Sequence, residues 1–288
     1  MKSIWVIFKT LFFIGIICIF AKSWQLITDG FRLDKLKSTL SNNKEVYSDS
    51  DDIHKILDQE FKYLSKGCQT YVFESEDNNY VIKFVRFHRY KIPLWLTVLD
   101  FFDSYKTKRL YYKEKLLNDS LKSYQIANSY LKDETATIYV HLSRTDIFNK
   151  KITILDRFKR KYFIDLDSAG FVIQKKVKTF EAILTKNKHD PDELKKLTNS
   201  FLNTTFSIYQ KGYINDDYNC VKNSGVLDDR VIHSDLGSFL KKDEMKNKDV
   251  LTHEINRFMR YFKKWSDKNA PFLSEYVDEE VKKIIVNL

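Results

Sequence analysis

The stretch from Ile4 to Ala21 constrains this chain most, because so long an apolar run sits poorly in a globular core. Nearly every residue in it is apolar, and the block Thr10–Ala21 (TLFFIGIICIFA) carries no charge. A helix needs roughly 20 apolar residues to cross a bilayer core. The stretch reaches that length once Lys9 is included, since a lysine near a helix end can run its stem out to the headgroups. A cleaved signal would use Lys2 and Lys9 as its charged flank and residues 10–21 as its apolar stretch. The following Phe20-Ala21-Lys22-Ser23-Trp24 is too bulky for a small-x-small cleavage site, which favours a retained transmembrane anchor over residues 1–24. A buried core helix is the third reading.

About 260 residues remain, enough for one large domain or two lobes with a core. The net charge of +10 is spread along the chain rather than gathered in one arm. Such a surface is either simply well solvated or attracts anionic lipid or nucleotide. Nothing resembles a groove-reading helix or a zinc module, so nucleic acid is set aside as a partner. Three cysteines, Cys18, Cys68 and Cys220, form no CxxC pair and no bridge framework. A reducing compartment is the simpler reading.

Residues 25–55 read as a polar connector containing the Asp/Ser-rich YSDSDD. Residues 61–87 read as strand, Gly turn, strand, tight turn, strand: Thr70–Phe73 and Tyr80–Val85 are rich in β-branched and aromatic residues around Asp77-Asn78-Asn79. Residues 94–131 read as helix in two pieces, with Leu110, Glu114, Leu117, Leu121 and Tyr124 on one face. Strand signals return at 137–142, 152–155, 162–166 and 171–173, and Asp167-Ser168-Ala169-Gly170 suggests a hairpin turn. Asp190-Pro191-Asp192-Glu193 is a capped helix start, and Gly212 supplies the stop. A polar loop over 214–224, a hairpin over 226–234 and helices near 249–266 and 274–286 complete the pattern.

Several residues suit phosphoryl transfer. Gly67, in a turn between strands, lets backbone amides approach phosphate without an intervening side chain. Lys83 lies in an otherwise apolar strand, so it needs an anionic partner or an exposed position. Nucleotide phosphates are one such partner, and Glu114 on the leucine-rich helix face is another. In the second half, Asp217, Asn223 and Asp235 supply a carboxylate to take a hydroxyl proton and two oxygen donors for magnesium. Taken singly, each also reads as solvent-facing lysine, helix-edge glutamate or turn-forming Asp/Asn. The histidines His141, His189, His233 and His253 fit no zinc spacing, and His233 reads as structural.

In this order the residues resemble the protein-kinase-like superfamily. Lys66-Gly67-Cys68-Gln69-Thr70-Tyr71-Val72 and Val81-Ile82-Lys83 match its phosphate-covering loop and lysine strand. Phe171-Val172-Ile173-Gln174-Lys175-Lys176 resembles the strand leading to its hinge. The resemblance implies an α+β, bilobal fold: an antiparallel sheet with a helix over 56–176, then a shortened, mostly helical lobe over 177–288. It implies ATP and Mg2+ as cofactors, with Gly67, Lys83 and Gln174 binding nucleotide and Glu114 orienting Lys83. Asp217 would be the base, and Asn223 and Asp235 (in Asp235-Leu236-Gly237) the metal ligands. The interval from Asp217 to Asp235 equals the family's usual one.

The departures are specific. The phosphate loop has one glycine rather than three, and Ile214-Asn215-Asp216-Asp217 stands in place of His-Arg-Asp. Asp216 competes with Asp217, and Lys222 or Asn219 with Asn223. No Ala-Pro-Glu follows Asp235, and the room left for a peptide-docking lobe is short. The expected function is a membrane-anchored phosphotransferase resembling bacterial lipopolysaccharide-core and small-molecule kinases. Its acceptor would be a hydroxyl compound such as a lipid-linked sugar. The alternative is an inactive pseudokinase that tethers a protein partner or anionic lipid. Lys22, Arg32, Lys35 and Lys37 after the anchor outnumber Lys2, Lys9 and the amino terminus before it, which favours a cytosolic domain. All of this requires Lys83, Glu114, Asp217 and Asp235 to converge on one cleft; an unrelated α/β fold would scatter them.

Overall fold

The computed structural model describes residues 2–40, 51–98 and 103–286. It opens with helix α1 (Lys2–Ile27), of which Ile4–Ile27 is long and apolar enough to cross a membrane, and its apolar window is not buried by the described residues. Thr28 to Leu40 then run onto the domain without slack. Phe31 packs edge-on against Tyr71, Phe73 and Tyr162, and Ser38 Oγ donates to Leu142 O at 2.7 Å. The expected connector is therefore part of the fold over residues 28–40. Its residues 41–50 lie outside the described residues, and its end forms helix α2 (Asp51–Leu57), which buries Ile53, Ile56 and Leu57.

The alternating patterns after Gln59 give β1 (Phe61–Lys66), β2 (Thr70–Ser75) and β3 (Tyr80–Val85). The helical region divides into α3 (Leu94–Val98) and α4 (Asp103–Tyr130), with the junction at 99–102 outside the described residues. A single turn, α5 (Lys132–Thr135), leads to β4 (Thr137–His141), β5 (Lys151–Leu155), β6 (Lys161–Asp165) and β7 (Phe171–Lys175). The sheet has seven strands in the order β4-β7-β3-β2-β1-β5-β6. Its pairs are antiparallel except β1 with β5. Lys83 sits on the interior strand β3, paired with Val72 on one side and Val172 on the other.

Asp167–Gly170 is not the hairpin turn the sequence suggests. β6 is an edge strand and β7 lies in the opposite half, so the chain crosses the sheet there. The Asp167 carboxylate holds the crossing: it accepts from the amides of Ile147, Phe148 and Asn149 and from the Thr145 hydroxyl.

Beyond β8 (Lys178–Thr179) the chain becomes mostly helical, with α6 (Phe180–Lys186) and α7 (Pro191–Gln210). Asp190 caps α7 by accepting from Glu193 N at 3.1 Å, and Gly212, at φ +80°, ends it. β9 (Tyr213–Asn215) pairs with β12 (Phe239–Lys241), while β10 (Ser224–Leu227) forms the expected hairpin with β11 (Arg230–His233). Phe201 of α7 packs on Phe258 and Phe262 of α8 (Lys248–Asn269), and α9 (Phe272–Val286) closes the lobe. One apolar core lies between the sheet and α2; the other runs from α4 through α7 to α8 and α9. The result is the expected α+β, two-lobed architecture, and the cleft lies where β3 meets the segment after β11.

Candidate active site

Lys83 enters the cleft from the middle of an apolar strand, and its Nζ donates to Ser234 O at 2.6 Å. Burial pulls its ammonium below the usual lysine range, while the neighbouring Asp235 carboxylate pulls the other way. Asn223 is locked beside Asp235 by the backbone itself. Its carbonyl accepts from the amides of Ser234 and Asp235 at 2.8 and 3.1 Å, and from the Ser234 hydroxyl at 3.0 Å. Gly67, Lys83, Tyr124, Lys222, Asn223 and Asp235 line one cavity of about 210 Å³. Small-molecule sites are typically larger, about 300–1,000 Å³.

Gln69 accounts for part of that small size, and the sequence reading missed it. Its Oε1 accepts from Tyr124 Oη at 2.9 Å and its Nε2 donates to Gly237 O at 3.4 Å. A Cβ on Gly237 would stand 2.1 Å from Gln69 Oε1, so this glycine lets the β1–β2 turn close on the Asp-Leu-Gly segment. Arg86 and Arg89 hold the turn from behind, donating to Gly67 O at 2.8 Å and Cys68 O at 2.7 Å. Gly67 itself has no positive φ, and a Cβ there would meet nothing nearer than 3.6 Å. The fold alone does not ask for glycine at that position.

Asp217 follows β9 and does not line this cavity. Its carboxylate accepts from Asn219 N at 2.9 Å, and Asn219 O accepts from the amides of Lys222 and Asn223 at 3.1 and 2.9 Å. Hydrogen bonds therefore step from Asp217 through Asn219 and Asn223 to Asp235. Asp216 is committed elsewhere: it accepts from Tyr218 Oη at 2.9 Å and lies 3.7 Å from the Arg257 guanidinium. His233 is a core residue, between Thr205 and Asn215 and against Phe201 and Phe258. Burial lowers its pKa to about 4, so the ring is neutral.

Besides Asp217, two more expected residues do not line the cavity. Glu114 is exposed, on a part of α4 (Asp103–Lys115) that stands largely clear of the domain. The helix meets the cleft further along, where Ser123 Oγ donates to Leu236 O and accepts from Phe239 N, and where Tyr124 reaches Gln69. The leucine face continues past the point where the helix stops being covered, so sharing the face did not mean sharing the burial. Gln174 is buried in β7, but its Nε2 donates to Thr135 O at 2.8 Å, which commits it to α5.

Of the four residues required to converge, Lys83 and Asp235 line one cavity and Glu114 and Asp217 do not; the β3 lysine, the helix between β3 and β4, and the β10–β11 hairpin leading to Asp-Leu-Gly still meet in the order the resemblance implies. This is the two-lobed α+β arrangement that the resemblance implies, with the β5–β6 hairpin at the β1 edge of the sheet. Among solved structures it is similar to the bifunctional kinase-methyltransferase WbdD, at 15% identity and a TM-score of 0.35, over 64% of this chain and 33% of that one. The Legionella pneumophila effector kinase LegK7 is similar at 10% identity and a TM-score of 0.29, over 80% of this chain and 37% of that one. Vaccinia related kinase 3 is similar at 12% identity and a TM-score of 0.30, over 62% and 47%. The chain thus spans about a third to a half of the length of these proteins. No family model and no curated protein matches it.

Proposed function

We propose that this chain is a membrane-anchored, kinase-like phosphotransferase that moves the γ-phosphoryl group of ATP to a hydroxyl acceptor. The observation that carries the reading is the meeting of Gly67, Lys83, Asn223 and Asp235 around one cavity. Lys83 is the cation for the nucleotide phosphates, and Gly67 keeps the covering turn free of a side chain. Asp235 and Asn223 are the oxygen donors for magnesium, which favours few protein ligands beside phosphate oxygens. When bound, that ion neutralises charge on the phosphates.

Asp217 takes the proton of the acceptor hydroxyl as its oxygen bonds to the γ-phosphorus. The bond from that phosphorus to the bridging oxygen breaks, and ADP leaves with the electron pair. The apolar α1 supports an anchored enzyme, and the basic residues that follow it support a cytosolic domain; an anchored enzyme meets an acceptor near the bilayer, such as a lipid-linked sugar. A second reading, an inactive binding module, is favoured by the Gln69 carboxamide between the turn and Gly237.

Thermal unfolding of the detergent-solubilised chain separates the readings. Millimolar Mg-ATP is expected to raise the midpoint by several degrees, and Asp235→Asn to remove the magnesium-dependent part. No shift at that concentration would sink the phosphotransferase reading and leave the inactive module. A shift without phosphoryl transfer to any acceptor or to water supports the inactive module. If the enzyme turns over, Asp217→Asn is expected to slow it by about 10²–10⁴-fold, the usual worth of a general base.

A further inference from the structure

The β5–β6 hairpin lies beside the end of α1. Its turn, Asp156 to Arg160, brings Phe158 onto Trp24 of the helix, with ring planes 2° apart and centroids 6.0 Å apart. The Arg160 guanidinium covers both rings, 5.7 and 5.5 Å from their centroids. Arg157 Nη1 donates to Ile27 O at 3.3 Å, satisfying a carbonyl that the helix end leaves open. The hairpin and the end of α1 are thus one unit.

The helix sets the height of that unit. Ile4–Ala21, at about 1.5 Å per residue, is roughly 27 Å long, close to the ~30 Å of a hydrocarbon core. Lys22 ends the apolar run, and Trp24 follows at the level where headgroups begin and tryptophan is favoured. Phe158, stacked on Trp24, lies at the same level. Even so, Trp24 stays 55% and Phe158 45% exposed, with the rings offered outward.

The surroundings are basic. A groove of about 720 Å³ between β1 and the turn is lined by Lys62, Lys66, Arg157 and Lys159, against Asp29 and Asp156. Both acids are already engaged. Asp29 lies 3.7 Å from Lys66 and 3.4 Å from Arg157, and Asp156 lies 2.7 Å from Arg160. Lys62 and Lys159 have no acidic partner among the described residues. Lys159 also holds φ +62°, a left-handed conformation that glycine or asparagine takes more cheaply, so the turn keeps a lysine at some strain.

We propose that the β5–β6 turn is a second membrane contact, seated on the anionic phospholipid headgroups of the leaflet where α1 emerges toward the domain. Phe158 and Trp24 enter the interface, and Lys62 and Lys159 face lipid phosphates. The contact rests on the reading of α1 as an anchor.

Spin labels test the two separately in the full chain, with Cys18, Cys68 and Cys220 replaced by alanine and Ile14→Cys or Lys159→Cys added. The host is phosphatidylcholine vesicles with or without about 30% phosphatidylglycerol, an anionic lipid. The label at 14 is expected at hydrocarbon depth. The label at 159 is expected at headgroup depth, with severalfold less access to a water-soluble nickel reagent in the anionic vesicles, and Phe158→Ser is expected to restore that access. A deep label at 14 with equal aqueous access at 159 in both lipids overturns the contact alone; a label at 14 in water overturns the anchor and the contact with it. On the unsubstituted chain, a headgroup-photoreactive phosphatidylglycerol is expected to crosslink within residues 156–161. Crosslinks confined to α1 would overturn the contact.

Discussion

At Gln69, two hydrogen bonds stand between the phosphate turn and an open cleft: one from Tyr124 Oη, the other to Gly237 O. Such bonds contribute about 0.5–1.5 kcal/mol each. If nucleotide phosphates take the space, the carboxamide leaves first, and its lost bonds weaken the apparent affinity. Gln69→Ala is therefore expected to tighten Mg-ATP binding severalfold, up to roughly tenfold for about 1.4 kcal/mol. Calorimetric titration checks this, and weaker binding in the variant would show that Gln69 holds the ligand instead of blocking it. The structure brings Lys83, Asn223 and Asp235 to one cavity; the sequence pointed to Lys83 because it interrupts an apolar strand, and to Asn223 and Asp235 through intervals the family resemblance supplies. Gln69 was not, because a glutamine beside a glycine reads as ordinary turn. Glu114 misled because periodicity reports which way a helix faces, not whether anything covers that face.

Among the elements, the crossing from β6 to β7 depends on one carboxylate. Burial alone would raise the Asp167 pKa. The Thr145 hydroxyl and the amides of Phe148, Asn149 and Ile147 overcome that and hold the group below the usual carboxylate range. Asp167→Asn sets an amide donor against one of these N–H groups. It is expected to cost about 1–3 kcal/mol, read as a lower denaturant midpoint with an unchanged slope. β1, β2 and β3 could be read from the sequence because their signals are local. The crossing could not, because Asp167-Ser168-Ala169-Gly170 has turn composition whichever strand follows. β9 and β12 were missed for a related reason. Each has three residues, and each is a strand only through pairing with the other across 23 intervening residues.

Across the whole molecule, two neutral histidines couple stability to acidity. Burial depresses His233 to about 4; burial, with the charges of Lys35 and Arg86, depresses the half-buried His88 to about 4 as well. Below the unfolded value near 6.5 the unfolded chain takes up protons that the folded chain refuses. Their stabilisation is therefore complete above pH 6.5 and is lost as the pH falls toward 4. For the fully buried His233 the loss amounts to roughly 3 kcal/mol. Unfolding of the solubilised chain from pH 7 to 4 should show that decline, and His233→Phe should make it shallower. The two lobes were legible as a whole, but the docking of residues 28–40 was not. Polar composition suggested a tether, whereas Phe31 and Leu36 are the residues that bind it to the sheet.

That docking has a consequence for encounter geometry. An enzyme on a slack tether sweeps a hemisphere and meets acceptors at any altitude. Here Phe31 and Ser38 fasten the chain to the sheet immediately after the helix. With α1 in a bilayer, the cleft glides at one elevation above it. On the proposed phosphotransfer reading, acceptors would then be sorted by how far their hydroxyl stands from the lipid before any contact in the cleft discriminates among them.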